Sequence, residues 1–151
     1  MNVITLTKDT LNQYLPEMIS IDKYYYETLG NTFDMGPWGE PNFNMELPNK
    51  WELSCVYIHN NKLIGYLIAS QKEDKCHIHR VVVIDKYHNL GISYLLWSYT
   101  YNSSHNKGIN HYSVNVNVYN TNAIEFYERI GFKNINVYEE SDGSKYYVME
   151  Q

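Results

Sequence analysis

Four groups of residues in this chain have side chains and spacing suited to chemistry. His77 and His79 stand two apart in a β-branched run, HIHRVVVI, over 77–84. Residues two apart share a face of a regular strand, so both imidazoles are expected beside Val81 and Val83. An imidazole ordinarily titrates near ~6.5, which suits proton transfer at neutral pH. The same pair also reads as strand histidines satisfied by hydrogen bonds. Tyr127 carries a phenol with an ordinary pKa near ~10, able to give a proton to a basic leaving group, or simply to pack in a core. His88-Asn89-Leu90-Gly91-Ile92-Ser93 leads from the histidine strand into an apolar-periodic segment, and Asn120 stands at the start of another. The six histidines make no metal set, because His77-x-His79 supplies two ligands and no third has suitable spacing.

Those residues need elements to hold them. Val114, Val116 and Val118 alternate as in a strand; Asn120 reads as an N-cap; Ala123, Phe126, Tyr127 and Ile130 recur at helical spacing. Gly131 ends that helix and Phe132 starts a new apolar run. Upstream, Asp85–Leu90 is a polar connector and Gly91 opens a segment in which Leu95, Leu96, Tyr99 and Thr100 have helical spacing. A strand feeding a loop into a helix N-terminus is an anion site, since the first-turn N–H groups are unpaired and the dipole is positive there.

The remainder of the chain supplies a frame. Asn2–Leu6 reads as a short strand. Asp9 or Thr10 is expected to cap a helix that Pro16 interrupts, with a second helical piece over Ile21–Leu29. Gly30–Lys50, rich in Pro, Gly and Asn, reads as loop. Trp51–His59 and Leu63–Gln71 form a hairpin across Asn60-Asn61, and Lys133–Glu139 and Lys145–Met149 are paired strands joined by Ser141-Asp142-Gly143.

Composition narrows the class. At 151 residues the chain is expected to form one domain, and 44% hydrophobic with 19% charged content makes it globular. No basic region followed by an apolar run and no apolar span of membrane length stands out, so a cytoplasmic protein is the default. Cys55 and Cys76 read as buried thiols in a reducing compartment. Residues 1–54 hold eight acids and three bases, and the rest nine of each, so the net charge of −5 belongs to the N-terminal third. An acidic face disfavours nucleic acid and suits a cationic partner, or is simply a solvated surface.

The stretch NTNAIEFYERIGF, with Asn120 at the cap, Ala123 three on, Tyr127 seven on and Gly131-Phe132 at the exit, resembles the second signature of the GCN5-related N-acetyltransferase superfamily. The superfamily's Gln/Arg-x-x-Gly-x-Gly/Ala turn is similar to His88–Ser93, where only the central Gly91 is kept; His88 can still donate, and Ser93 is small. The strand and helix order β-α-α-β-β-β-α-β-α-β-β is also that superfamily's. The resemblance implies an α/β (α+β) fold with a mixed, mostly antiparallel sheet of about seven strands and about four flanking helices. It implies acetyl-CoA as cosubstrate, with Tyr127 near the thioester sulfur as the acid and Asn120 near the pantetheine arm. Val81, Val82 and Val83 and the turn His88, Asn89, Leu90, Gly91, Ile92, Ser93 and Tyr94 would hold the cofactor, the Val83 N–H serving the acetyl carbonyl.

Histone acetyltransferases of this superfamily place a strand glutamate at the position of His77, and protein N-terminal acetyltransferases place one at that of Asn115. Neither carboxylate is present. The His-x-His pair is similar instead to that of serotonin N-acetyltransferase, in which both histidines carry the amine proton away through water. The expected acceptor is a small, cationic primary amine, with no nucleic acid or membrane partner and a monomer or homodimer as the working unit. A protein N-terminus or lysine, or a non-catalytic acetyl-CoA-binding role, are the alternatives. Phe33, Trp38 and Phe43 are candidate pocket walls, or equally loop anchors. Ordinary histidines would give kcat/KM a limb near ~6.5–7.5.

Overall fold

A computed structural model of the chain describes residues 2–30 and 37–151. A seven-stranded sheet runs through it in the order β1-β2-β3-β4-β5-β7-β6. The strands are β1 (Val3–Thr5), β2 (Cys55–His59), β3 (Lys62–Lys72), β4 (Lys75–Val83), β5 (His111–Asn117), β6 (Lys133–Glu139) and β7 (Lys145–Glu150). Every neighbouring pair is antiparallel except β4 with β5. The described helices are α1 (Lys8–Leu29), α2 (Glu40–Asn44), α3 (Lys50–Leu53), α4 (Ile92–Asn106) and α5 (Thr121–Arg129). The parallel step from β4 to β5 is the one that needs a crossover, and α4 supplies it.

Local chemistry accounts for most boundaries. Asn60 and Asn61 both adopt left-handed φ, 51° and 61°, as a two-residue hairpin between β2 and β3 requires. α1 departs from the expectation in two ways. Its cap is Thr7, not Asp9 or Thr10: the Thr7 hydroxyl accepts from the Thr10 N–H at 3.1 Å. It also runs unbroken through Pro16, because Leu11, Tyr14, Met18, Asp22 and Tyr25 form one continuous buried stripe. Pro16 and Asn12 are exposed, so the carbonyl left without its helical partner faces water. The expected loop over Gly30–Lys50 contains α2, and the expected strand from Trp51 begins only at Cys55, after α3. Lys50 joins these pieces: its buried ammonium donates to the carbonyls of Phe43 and Met45, the latter at 2.7 Å. It thereby satisfies chain ends that short helices leave open.

The sheet separates two cores. On one face α4 and α5 pack Ile92, Leu96, Trp97 and Tyr127 against Leu67, Ile78, Val83, Val114 and Val116. On the other, α1 and α2 pack Leu11, Tyr14, Met18 and Phe43 against Val56, Tyr66, Ile68 and Val82. The second core encloses an ion pair. Asp22 of α1 is fully buried and accepts from Arg80 of β4 at 3.1 Å, from the Tyr66 hydroxyl of β3 at 2.7 Å and from the Trp38 backbone N–H at 2.6 Å. One carboxylate thus ties a helix, two strands and the segment after α1 together. Breaking such a pair leaves an uncompensated buried charge. Asp22→Ala is expected to cost about 3–5 kcal/mol of unfolding free energy. Urea or thermal unfolding reads this directly, and a loss below about 1 kcal/mol would mean that the arginine finds water instead.

Candidate active site

The parallel pairing of β4 with β5 runs from Lys75–His111 to Ile78–Val114 and stops, although β4 continues to Val83 and β5 to Asn117. Beyond that point each strand presents an unpaired edge to an opening through the sheet. Two features on the β3 side set this course. The β3–β4 register slips between Ile68–Arg80 and Ala69–Ile78, leaving His79 as the extra residue of a bulge, which bends the strand that carries it. Gly65 lies opposite Val83, where a Cβ would stand only 2.7 Å from the Val82 carbonyl oxygen, so glycine alone permits this approach.

Hydrogen-bond alternation shows what the β4 edge offers. Ile84 N–H donates to the Ile64 carbonyl at 2.9 Å. The Gly65–Val83 and Leu67–Val81 pairs are therefore the non-bonded ones, and the amide groups of Val81 and Val83 point away from β3, toward the opening. The Val83 carbonyl is already engaged: Tyr25 of α1 donates to it at 2.8 Å, and His88 Nε2 lies 2.6 Å from it.

The bulge corrects the expected histidine placement. Val81 and Val83 face the α4 and α5 core, whereas His77 and His79 face the other way, with Arg80 and Val82. Ser70 and Ser113 mark that face, since their neighbours Ile68, on the α1 side, and Tyr112 and Val114, on the α4 side, fix the alternation of β3 and β5. His77 Nδ1 lies 2.7 Å from Ser113 Oγ, and His79 Nε2 lies 2.7 Å from Ser70 Oγ. The two rings meet edge to face with centroids 4.9 Å apart. Burial, and then the charge of its neighbours His79 and Lys72, pushes His77 down to about 3. Burial followed by the charges of Lys72 and Lys50 pushes His79 down to about 4. Both rings are neutral at neutral pH, so the expected limb near ~6.5–7.5 cannot be theirs. Each has one nitrogen placed by a serine and one left to exchange a proton.

Tyr127 approaches from the opposite face. The Asn120 side chain caps α5 by accepting from the Ala123 N–H at 3.3 Å. Gly131, at φ 105°, turns the chain out, and Phe132 N–H donates to the Tyr127 carbonyl at 2.9 Å. The Tyr127 ring is buried edge-on to Phe126 and Phe132 and belongs to the same cluster as Val83. The opening between β4 and β5 therefore separates a phenol on one face from a neutral imidazole pair on the other.

The turn ahead of α4 has the form expected of an anion cradle. Asn89 and Gly91 take left-handed φ, 63° and 77°, and the helical bond from Leu95 N–H to the Gly91 carbonyl leaves the earlier N–H groups of Ile92, Ser93 and Tyr94 at the helix end. A Cβ at Gly91 would meet nothing within 4 Å, so the space before the helix end is open. Ile92 is buried and anchors the turn, while Leu90 and Tyr94 are exposed beside it. His88, expected as a donor in this turn, instead has its Nε2 at the Val83 carbonyl.

Trp38 and Phe43 are anchors, not pocket walls. Phe43 is fully buried between Trp38 and Tyr66, and the Arg80 guanidinium lies 4.9 Å over the Trp38 ring. Phe33 lies outside the described residues. Among the described residues no group of three His, Cys, Asp or Glu side chains is arranged to hold a metal, and no helix is long and apolar enough to cross a membrane. Cys55 and Cys76 are buried free thiols, both pushed up to about 12 by burial. Sequence reasoning missed Asp22, Arg80, Gly65, Ser70 and Ser113. Asp22 alone left a trace, as a carboxylate inside an otherwise apolar helical stripe.

The fold and site define an acyltransferase class. Residues 25–151 match the family model described as acetyltransferase (GNAT) domain, and the chain belongs to that family of N-acetyltransferases. Among solved structures it is similar to the ribosomal-protein-S18-alanine N-acetyltransferase from Escherichia coli, with a TM-score of 0.74 and 19% identity over 98% of this chain and 90% of that one. It is also similar to an aminoglycoside 6'-N-acetyltransferase complexed with coenzyme A, with a TM-score of 0.75 and 14% identity over 100% and 96%. Among curated proteins none matches the chain.

The depressed imidazoles carry a stability consequence. In the unfolded chain both rings return to about 6.5 and bind protons that the folded chain refuses. Their contribution is fully present above about 6.5 and is lost as pH falls toward the folded values of about 3 and 4. The melting temperature should therefore fall steadily from neutral pH to about pH 4, and less steeply in the non-titrating variant His77→Gln. Equal slopes would show that His77 titrates normally in the folded chain.

Proposed function

We propose that the chain, acting as one domain, is an acetyl-CoA-dependent N-acetyltransferase that acetylates a primary amine of a small cationic molecule by direct attack in a ternary complex. The observation that carries this reading is the opening beyond Ile78 and Val114, with Tyr127 on one face and His77 with His79 on the other.

The residues fit the cosubstrate. The open end of α4 behind Gly91 suits a pyrophosphate, held by the N–H groups of Ile92, Ser93 and Tyr94 with Asn89 and Leu90 shaping the turn. The outward amide of Val81 offers a strand edge for the pantetheine arm, leaving the Val83 N–H for the acetyl end, Val82 anchors that edge in the α1 core, and Asn120 caps α5 just after the β5 edge. When bound, acetyl-CoA supplies an acetyl thioester. The Val83 N–H would face the acetyl carbonyl oxygen, and the Tyr127 phenol would supply the proton that the leaving thiolate needs and regain it from solvent.

An amine attacks only in its neutral form. His77 and His79, uncharged and fixed by Ser113 and Ser70, accept the proton and pass it along the strand face to water, as the resemblance to serotonin N-acetyltransferase suggests. The limb of kcat/KM should then follow the acceptor's own ionisation. A panel of amines of different pKa checks this, and a fixed limb near ~7 would assign the base to some other group. Acetylation of protein N-termini is the second reading, favoured by the whole-chain likeness to the ribosomal-protein enzyme. Against it, Asn115 stands on the β5 edge, where a glutamate serves those enzymes.

Two substitutions test the assignment. Tyr127→Phe keeps the ring and removes the proton donor, so kcat should drop by roughly 10²-fold with little change in the KM for acetyl-CoA; a loss under about twofold would give the acid role to water. Gly91→Asp places a negative charge at the cradle. Calorimetric affinity for acetyl-CoA should fall by about tenfold or more relative to Gly91→Ala, which carries the same backbone strain without the charge.

A further inference from the structure

A cleft of about 290 Å³ lies between the C-terminal half of α1 and the end of β4, lined by Ser20, Ile21, Tyr24, Tyr25, Ile84 and Asp85. None of these residues has a part in the chemistry described above, apart from the bond from Tyr25 to the Val83 carbonyl. We propose that this cleft is the subsite for a second cationic group on the acceptor, so that the preferred substrate is an aliphatic amine bearing another ammonium on a short arm. The inference rests on the acetyltransferase reading and adds the class of acceptor.

Four observations carry it. Among the described residues that line the cleft Asp85 is the only acid, and its side chain remains about half exposed. The Tyr24 hydroxyl donates to one carboxylate oxygen at 2.9 Å, and the Tyr25 hydroxyl lies 2.9 Å from the other, its one proton shared between that oxygen and the Val83 carbonyl. These bonds, Tyr24's first and then Tyr25's, hold the carboxyl below the usual carboxylate range, so it is charged at neutral pH. A carboxylate has about four lone-pair sites, and the two phenols occupy two, which leaves room for an ammonium donor. Among the described residues no lysine or arginine is paired with Asp85, and the nearest cationic partner is His88, 3.7 Å away and charged only when protonated.

The walls suit the rest of such a ligand. Tyr24 and Tyr25 meet edge to face with centroids 5.2 Å apart, which leaves the exposed Tyr24 ring available to a cation while Ile21 and Ile84 line the way for an alkyl stem. At about 290 Å³ the cleft stands at the low end of the range for small-ligand pockets, which suits an ammonium with a few methylenes. The position decides the rest: the Tyr25 hydroxyl that reaches Asp85 also reaches the Val83 carbonyl at 2.8 Å, at the edge of the opening.

The test measures acetyl-CoA-dependent acetylation of cadaverine against n-pentylamine, which differ only in the distal ammonium, by the wild-type chain, Asp85→Asn and Tyr24→Leu. The wild type should favour cadaverine in kcat/KM by at least about tenfold, well above the about twofold statistical gain from two amines. In Asp85→Asn the ratio should collapse to about that statistical value, and in Tyr24→Leu it should fall by about threefold or more. Tyr24 is half exposed, so its variant reads the same question if Asp85→Asn does not fold. A wild-type ratio at the statistical value, or one unchanged in both variants, overturns the subsite. Failure to acetylate any amine would instead overturn the transferase reading. Calorimetric binding of cadaverine then decides the subsite: affinity lost in Asp85→Asn supports it, and no binding, or equal affinity in both chains, overturns it.

Discussion

The site depends on one departure from regular pairing. β4 follows β5 for four residue pairs and then leaves it, while remaining bonded to β3 along its other edge. A strand half released from a sheet would ordinarily close again, because unpaired amides at a dry edge are costly. Here the bulge at His79 bends β4, and the absent side chain of Gly65 lets β3 hold its far end close. The two outward Val83 groups have different fates. Its carbonyl is satisfied within the chain by Tyr25 and His88, and its N–H is turned toward the opening.

The same bulge distributes the chemistry. Without it, His77, His79, Val81 and Val83 would share a face, and the imidazoles would be buried against α4 and α5 with Tyr127. With it, the valines keep the α4 and α5 core filled while the histidines stand beside Ser70 and Ser113 on the α1 face. In the proposed reaction, which takes a proton from an incoming amine and gives one to a departing thiol, this separation would keep the acceptor and the donor from competing for one proton. Burial keeps the imidazoles uncharged and makes each a weaker base than a free histidine.

α1 has a larger part than the frame of a site would need. Its stripe fills the second core, Asp22 fixes Arg80 next to the bulge, and Tyr25 reaches the last residue of β4. Helix, bulge and strand end are thus one mechanical unit, joined by a buried charge pair and a phenol. Such buried polar joints are poor sources of net stability but punish alternative arrangements, since any slip of α1 along the sheet would strand a charge.

The sequence by itself determined the order of the seven strands, the Asn60-Asn61 hairpin, the α4 turn at Gly91 and the α5 unit from Asn120 to Phe132, and its family resemblance implied the class of fold, while α2 and α3 were not legible. The local features rest on alternation, helical spacing, a capping side chain or a residue able to take positive φ. The continuity of α1 through Pro16 was not legible, because a buried stripe outweighed a local breaker. Nor was the orientation of His77 and His79. One extra residue in β4 reverses the alternation beyond it, and the run HIHRVVVI carries no local signal that marks that residue. The depressed imidazoles and the Asp22–Arg80 pair were equally hidden, for both depend on what lies above the sheet. Residues 22 and 80 are distant in sequence, and only the packing of α1 on β4 takes water away from their charges and leaves each as the other's partner.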